Sequence, residues 1–134
     1  MTIHLSTEVR NARLQAIKDI IGESGYLRIR SGAVPDFTSE ADSGDVLSEI
    51  VLPSGWLSVP TGGTVSMSGT WADASADNTG TATHFRIYRP GPSGECDLQG
   101  SVGTSAADMI VLTTSFVATQ PFTVTAFSLV DGNA

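Results

Sequence analysis

The spacing of apolar residues changes near residue 22 and divides the chain into a helical part and a longer β part. Over residues 7–21 apolar residues recur every three or four positions, which predicts one α-helix. Ser6 is placed to cap its N-terminus and Gly22 to end it. We expect Arg10, Arg13 and Lys18 to lie on its solvated face. The expected apolar face comprises Val9, Ala12, Leu14, Ala16, Ile17, Ile20 and Ile21.

Beyond the helix, apolar and polar residues alternate in short segments between turns rich in glycine and proline. This period of two predicts β-strands. The predicted strands are 26–30, 46–52, 64–71, 81–89, 108–114 and 121–130, with a weaker candidate at 95–102. Short strands at intervals of about 8–12 residues are typical of an antiparallel sandwich. We therefore predict a mainly β fold, an antiparallel β-sandwich that is jelly-roll-like and carries one N-terminal α-helix. It forms a single domain (1–134), with an N-terminal arm and helix (1–22) and a β-sandwich (23–134).

The alternation also predicts where side chains of the 81–89 strand point. Phe85 and Ile87 occupy alternate positions, so we expect them to face the core. His84, Arg86 and Tyr88 occupy the other positions. We expect His84 to face solvent or a partner.

A polar segment, residues 31–45 (SGAVPDFTSEADSGD), interrupts the strand pattern. No basic residue lies between Arg30 and Arg86 to pair with its acids within that interval. We therefore expect the acids to face solvent or a partner, because loops are where binding residues concentrate. The acids of this region are Asp36, Glu40, Asp42, Asp45 and, in the next strand, Glu49.

Composition excludes several classes of function. Of the 134 residues, 40% are hydrophobic and 16% are charged, which is incompatible with a disordered acidic tail. Fourteen acidic and seven basic residues give a net charge of −7, so we expect neither a nucleic acid nor an anionic membrane as partner. The longest aliphatic run, 109–112, is far too short for a membrane span, and no signal peptide is visible. We expect synthesis in the cytoplasm.

The sequence offers little evidence for catalytic chemistry. Cys96 is the only cysteine, and His4 and His84 are the only histidines, so no zinc-ligand spacing exists. Cys96 and His84 could act as a nucleophile and a base, but no local motif supports this pairing. We predict a protein that is not an enzyme, with no catalytic residue, no cofactor and no metal ligand.

A calcium site is the other chemistry that we considered. Asp73, Ser75 and Asp77 alternate as in a calcium-binding loop. The EF-hand pattern then requires glycine and glutamate where this chain has Asn78 and His84. We therefore expect these side chains to cap their own turns.

Three segments, in this order and spacing, resemble a group of small tailed-bacteriophage virion proteins encoded in head-morphogenesis regions. They are LRIRSGAVP (27–35) with GDVLSEIVLP (44–53), WADASADNTGTATHFR (71–86), and LQGSVGTSAADMIVL (98–112). The resemblance implies a decoration or cement protein that binds and stabilises the shell of the major capsid protein on the virion exterior, after synthesis in the host cytoplasm. It provides no catalytic residues. Symmetry favours a homo-oligomer, with a trimer as the leading expectation.

We expect partner contacts on the N-terminal arm, the helix and the 31–45 segment. The candidate contact residues are Thr2, Ile3, His4, Leu5, Arg10, Arg13, Asp36, Phe37, Glu40 and Asp42.

The alternative is a tail, connector or fibre module that recognises a host-surface glycan or another virion protein. Glycan binding would need an exposed aromatic platform. The candidates for such a platform are Trp56, Trp71, Tyr26 and Tyr88.

Overall fold

The computed structural model describes residues 2–91 and 94–132, and it confirms a mainly β fold with one helix. Helix α1 spans Thr7–Ile21. Ten strands follow among the described residues: β1 (Tyr26–Arg30), β2 (Val46–Val51), β3 (Thr64–Ser66), β4 (Ala72–Asp73), β5 (Gly80–Thr81), β6 (His84–Tyr88), β7 (Cys96–Gly103), β8 (Met109–Val111), β9 (Ser115–Phe116) and β10 (Phe122–Val130).

The larger sheet has the strand order β2-β1-β6-β7-β8-β10-β3, with β4 also pairing with β10. β5 and β9 form a separate two-stranded sheet. The pairs are antiparallel except for β7 and β8, where Val102 lies beside Met109 in a short parallel pair. The larger sheet curls around the core, as in a β-sandwich.

Aromatic side chains form the centre of the core. Trp71 lies 6.0 Å from Trp56 and 5.5 Å from Phe127, measured between ring centroids. Phe85 meets Phe127 edge to face at 5.5 Å. Aliphatic side chains of β1, β2 and β6 surround these rings: Leu27, Ile29, Leu47, Ile50 and Ile87. Phe85 and Ile87 therefore face the core as the alternation predicts.

Helix α1 has the predicted bounds and caps. The Ser6 side chain accepts a hydrogen bond from the Val9 amide at 3.2 Å, and the Gly22 amide donates to the Lys18 carbonyl. Gly22 has a φ of +73°, a conformation that glycine adopts without strain. The local sequence signals therefore place both ends of the helix correctly.

The buried face of α1 is narrower than the sequence predicts. Leu14 and Ile21 are buried and Ile17 is half-buried. Val9 and Ile20 are 46% and 59% exposed, so the prediction that all seven apolar residues face the core is wrong. The reason is that the helix packs on the sheet along one side only, and its apolar arc is wider than that contact.

No helix in the described part of the chain is both long enough and apolar enough to cross a membrane.

Candidate functional site

The outward face of β6 is covered by the segment that leads from β1 to β2, here called the 31–45 loop. His84 and Arg86 are 0% and 1% exposed, and Tyr88 is also buried. The prediction that His84 faces solvent or a partner is therefore wrong. Alternation along the strand separates its two faces correctly, but the loop adds a second layer over the face opposite the core.

Arg86 binds the middle of the 31–45 loop. Its Nη1 atom donates to the Glu40 carbonyl at 3.1 Å and to Asp42 Oδ1 at 2.5 Å. Its Nη2 atom donates to the Thr38 carbonyl at 2.7 Å and to the Phe37 carbonyl at 3.5 Å. Because Arg86 is buried on a central strand, these contacts fix the path of the loop main chain.

Arg30 and Tyr88 hold the next part of the loop. Arg30 Nη1 is 3.5 Å from the Ser43 carbonyl and 3.4 Å from the Gly44 carbonyl, and its Nη2 donates to Asp42 Oδ2 at 3.1 Å. The Tyr88 hydroxyl donates to Asp42 Oδ1 at 2.5 Å. Both carboxylate oxygens of Asp42 are therefore bound within the chain. The Asp42 side chain is still 36% exposed, so it borders solvent while it binds these three side chains.

The charge state of Asp42 follows from these contacts. Partial burial by itself raises the pKa of the carboxyl, but hydrogen bonds from Tyr88 and Arg86 and the charge of Arg30 outweigh it. The pKa of Asp42 therefore lies below its ordinary value of 3.8. The carboxylate is ionised at neutral pH, when it stabilises both guanidinium groups.

Further hydrogen bonds hold the two ends of the loop together. The Ser31 amide donates to the Asp45 carbonyl at 3.1 Å, and the Asp45 amide donates to the Ser31 hydroxyl at 3.0 Å. Gln99 Nε2, from β7, donates to the Pro35 carbonyl at 2.7 Å. The loop is thus anchored to β1, β6 and β7 along most of its length.

The anchored loop presents a small acidic and apolar surface. Phe37 is 67% exposed and Val34 is 47% exposed. Asp36 and Glu40 are also exposed, and the Asp36 amide donates to Glu40 Oε2 at 2.8 Å. All four candidate contact residues on the loop are exposed, and Asp42 differs from Asp36, Phe37 and Glu40 in being bound by buried arginines.

The structure brings Arg10 and Arg13 to the C-terminal end of the described chain. Arg10 Nη1 donates to the Asp131 carbonyl at 3.3 Å, and Arg13 Nε lies 3.1 Å from Asp131 Oδ2. These contacts brace α1 against the residue that follows β10. In the arm, Leu5 is half-buried, and three candidate residues are exposed: Thr2, Ile3 and His4.

Cys96 and His84 do not form a nucleophile–base pair. In the β6–β7 register Cys96 lies opposite Tyr88, whereas His84 lies opposite Ser101. Four residues along a strand correspond to about 13 Å. Burial raises the pKa of the Cys96 thiol, whereas an activated thiolate has a lowered pKa.

The Asp73 region caps its own turn, as expected. Asp73 Oδ1 accepts from the Ser75 amide at 3.0 Å, and its Oδ2 accepts from the Ser48 hydroxyl at 2.7 Å. Asn78 Nδ2 donates to the Val46 carbonyl at 2.7 Å. Within residues 2–91 and 94–132, no cluster of three or more His, Cys, Asp or Glu side chains is arranged to hold a metal ion.

The four large aromatic residues considered for glycan binding do not form an exposed platform. Trp56 and Trp71 belong to the core, with exposed fractions of 1% and 0%. Tyr88 is buried under the loop and Tyr26 is half-buried. The Arg28 guanidinium carbon lies 4.6 Å from the Tyr88 ring centroid and 5.8 Å from that of Tyr26, which places a cation rather than open space beside these rings.

A cleft of about 570 Å³ opens between the loop and the start of β7. Its wall includes Glu40 and Asp42 from the loop and Glu95 and Asp97 from the opposite side. Arg89 pairs with Asp97 at 2.7 Å and lies 3.6 Å from Glu95. The cleft is therefore a continuation of the acidic surface of the loop.

Arg30 and Arg86 are not among the candidate site residues predicted from the sequence, and Tyr88 is a candidate there only for an aromatic platform that binds glycans. One signal could have identified the two arginines. They are the basic residues that bracket the acidic loop in the sequence, and both lie on predicted strands of a chain with only seven basic residues.

The buried histidine predicts a pH-dependent stability. Burial and the charges of Arg30 and Arg86 lower the pKa of His84 below its ordinary value of 6.5, despite an opposing contribution from Asp42. The unfolded chain therefore binds the proton more readily. Stability should fall as the pH drops below about 6.5, with a slope of at most about 1.4 kcal/mol per pH unit. Urea unfolding between neutral pH and pH 5 measures this slope.

Matched histidine variants identify the responsible group. His84→Gln should flatten the slope over this range, whatever its effect on absolute stability. His4→Gln, at the exposed histidine of the N-terminal arm, is the matched substitution for comparison. The contribution of ionised Asp42 to folding stability is lost only below its ordinary pKa of 3.8, which lies outside the range from neutral pH to pH 5. An equal slope in the wild type and His84→Gln would contradict the assignment.

Comparison of the chain with protein-family models, curated proteins and solved structures finds no match.

Proposed function

We propose that this chain is a non-enzymatic bacteriophage structural protein that decorates an assembled capsid, and that the 31–45 loop docks it on the major capsid protein. The phage assignment is supported by the resemblance of residues 27–53, 71–86 and 98–112 to small virion proteins. The docking role is supported by the way in which the loop is held.

The main support for the docking role is that buried arginines of β1 and β6 hold the exposed loop against the sheet. Arg86 and Arg30 bind main-chain carbonyls and Asp42, so the loop main chain is ordered before any partner arrives. Phe37 extends from this ordered chain with two-thirds of its surface exposed. A fixed aromatic side chain binds with a smaller loss of conformational entropy than a mobile one. Aromatic anchors of this kind dominate binding energy at many interfaces.

Charge indicates the chemistry of the partner. Asp42 pairs with arginines, but no basic side chain of the described residues forms an ion pair with Asp36, Glu40 or Asp45. The loop therefore presents uncompensated negative charge beside Phe37. We infer a partner surface with an apolar pocket for the phenyl ring and basic residues at its rim. Complementary charges at such a rim mainly raise the association rate and select the partner.

Copy number in purified phage particles tests the proposal. Quantitative mass spectrometry should find hundreds of copies, in a fixed ratio to the major capsid protein. Particles that lack the chain and are then incubated with purified protein should recover this occupancy with the wild type. They should bind Phe37→Ala at least about tenfold more weakly, the effect expected when an aromatic anchor is removed.

Leu112→Ala is the matched control, because Leu112 is also exposed (81%) but follows β8, which is not among the strands that anchor the loop. It should bind like the wild type. A dozen or fewer copies per particle would instead place the chain at the connector, tail or fibre, and absence from the particle would exclude a virion role. Equal binding of Phe37→Ala and the wild type to the shell would overturn the loop assignment alone.

A further inference from the structure

The hydrogen bonds around His84 fix which of its two ring nitrogens carries a proton. His84 Nδ1 lies 2.9 Å from the Thr83 hydroxyl oxygen. That hydroxyl has one proton, and its other neighbours are the carbonyl oxygens of Gly32 at 2.7 Å and Arg30 at 3.4 Å, which can only accept. The hydroxyl oxygen therefore accepts a hydrogen bond from Nδ1–H. In the neutral ring, Nε2 carries the lone pair.

His84 Nε2 lies where a second proton is unfavourable. The side chain is 0% exposed, and no group in the described part of the chain forms a hydrogen bond with Nε2. A proton taken up at this atom would create a buried N–H donor without an acceptor, together with a buried positive charge. The closed loop therefore favours the neutral ring.

The charges near the ring also oppose its protonation. Arg30 lies opposite His84 in the β1–β6 register, and Arg86 is two residues further along β6, on the same face. The groups by element are Arg30 from β1, Arg86 from β6, Asp42 from the 31–45 loop, and the exposed Asp108, which is bonded to Ser101 opposite His84 in β7. Asp42 already pairs with both arginines, so it does not balance a third positive charge.

Opening the loop would relieve both penalties without disrupting the core. The loop covers the outer face of β6, whereas Phe85 and Ile87 pack into the core on the other face. Side chains of Arg30, Arg86 and Gln99 hold the loop to the sheet, and their release leaves the β1–β6 ladder paired. Water would then bond to Nε2–H and weaken the repulsion from the arginines. Such a local opening costs less free energy than unfolding of the whole chain.

We propose that protonation of His84 at Nε2 opens the 31–45 loop from the sheet, while the sheet itself stays folded. Solvent supplies the proton, and the ring gains one N–H bond and one positive charge. The opening is a property of the chain by itself and goes beyond the proposed function. Docking through Phe37 would be lost in acid as a consequence, and only that consequence rests on the proposed function.

Hydrogen exchange of the purified protein at pH 7 and pH 5 tests the opening, with rates corrected for the pH dependence of exchange in an unfolded chain. The Asp36 and Glu40 amides donate hydrogen bonds within the loop, and the Val124 amide donates to the Trp71 carbonyl. The two loop amides should be less protected than Val124. Their protection should fall by up to about 25-fold between pH 7 and pH 5, the largest change that one group with an ordinary pKa of 6.5 produces.

Two results of this exchange experiment would contradict the proposal. Protection of the loop amides that does not change with pH would mean that the loop opens without exposing His84. Loop amides as protected as Val124 at both pH values would mean that they exchange only when the whole chain unfolds. Because the experiment uses no capsid shell, its failure is distinct from a failure of the docking assignment.

Histidine variants and the ring itself identify the responsible group. His84→Gln should remove the pH dependence of the loop amides, and His4→Gln is the matched substitution at the other histidine. Loss of the dependence in His4→Gln instead of His84→Gln would overturn the assignment. If His84→Gln does not fold, nitrogen NMR of the wild type still decides. At pH 7 the His84 ring should have a protonated Nδ1 and an unprotonated Nε2, and the opposite tautomer would overturn the proposal.

Discussion

Replacing Arg86 with methionine should lower the free energy of unfolding by about 3–5 kcal/mol, the range for removing one partner of a buried ion pair. The substitution leaves the Asp42 carboxylate with fewer partners and removes the donors to the Thr38 and Glu40 carbonyls. Methionine fills much of the space but donates no hydrogen bond. A domain of this kind has a total stability of about 5–15 kcal/mol, so the loss is a large part of it.

Chemical denaturation measures this effect, and Arg89→Met provides the control. Arg89 also pairs with a carboxylate, Asp97, at 2.7 Å, but it lies on the surface. Its replacement should change stability little, because exposed ion pairs are screened by solvent. Arg86→Lys should fall between the two, since lysine keeps the charge but lacks the planar fork that reaches several acceptors. Equal midpoints for Arg86→Met and Arg89→Met would contradict an anchoring role for Arg86.

Loss of the anchor should also be visible locally. Hydrogen exchange of the Asp36 and Glu40 amides, which donate hydrogen bonds within the loop, should accelerate in Arg86→Met more than exchange in β1 or β10, because the loop depends directly on this side chain.

Local signals predict α1 well, but its packing could not be predicted from them. Ser6 and Gly22 end the helix through contacts within four residues along the chain, so both caps follow from the sequence. The choice of Leu14 and Ile21 as buried residues depends on where the sheet lies. Val9 and Ile20 have the same hydrophobic character, and nothing local distinguishes them.

The contacts of the candidate site could be predicted from local sequence patterns even less than the packing of α1. Alternation correctly places Arg86 opposite Phe85, but it contains no information about a second layer. That layer depends on contacts between residues far apart in the chain, such as the hydrogen bond from Arg86 to Asp42, 44 residues away. The acidic loop and the arginines are each visible in the sequence, whereas their pairing requires the adjacency of β1 and β6.

The sequence predicts strand β7 less clearly than the other strands, and the burial of its side chains in the structure does not alternate either. Residues 96–100 are all half-buried, since one face of the strand lies beside the loop and the other near the core. Gly100 adds to this ambiguity because it carries no side chain. An added Cβ there would lie 2.8 Å from side-chain atoms of both Phe85 and Asp108, so a larger residue would force these neighbours to move, and the sequence does not reveal this close packing.

Replacing Gly44 with alanine should be the most damaging glycine substitution at the base of the 31–45 loop. Gly44 has a φ of +69°, which disfavours any residue with a Cβ. An added Cβ would also meet the Ser31 carbonyl oxygen at 1.9 Å, a distance that the main chain must open to relieve. This movement of the main chain would break the hydrogen bonds between Ser31 and Asp45 that hold the two ends of the loop together.

Gly55→Ala separates these two causes, because Gly55 has a similar φ of +66° but nothing within 4 Å of an added Cβ. We expect Gly55→Ala to cost about 1–2 kcal/mol, the strain of the left-handed conformation alone. Gly44→Ala should cost about 1–3 kcal/mol more, as expected for forced overlap in a packed site. Urea denaturation of both variants measures the difference. Near-equal losses would mean that the ends of the loop separate easily, and the loop would then not be held rigidly enough to present Phe37 in one position.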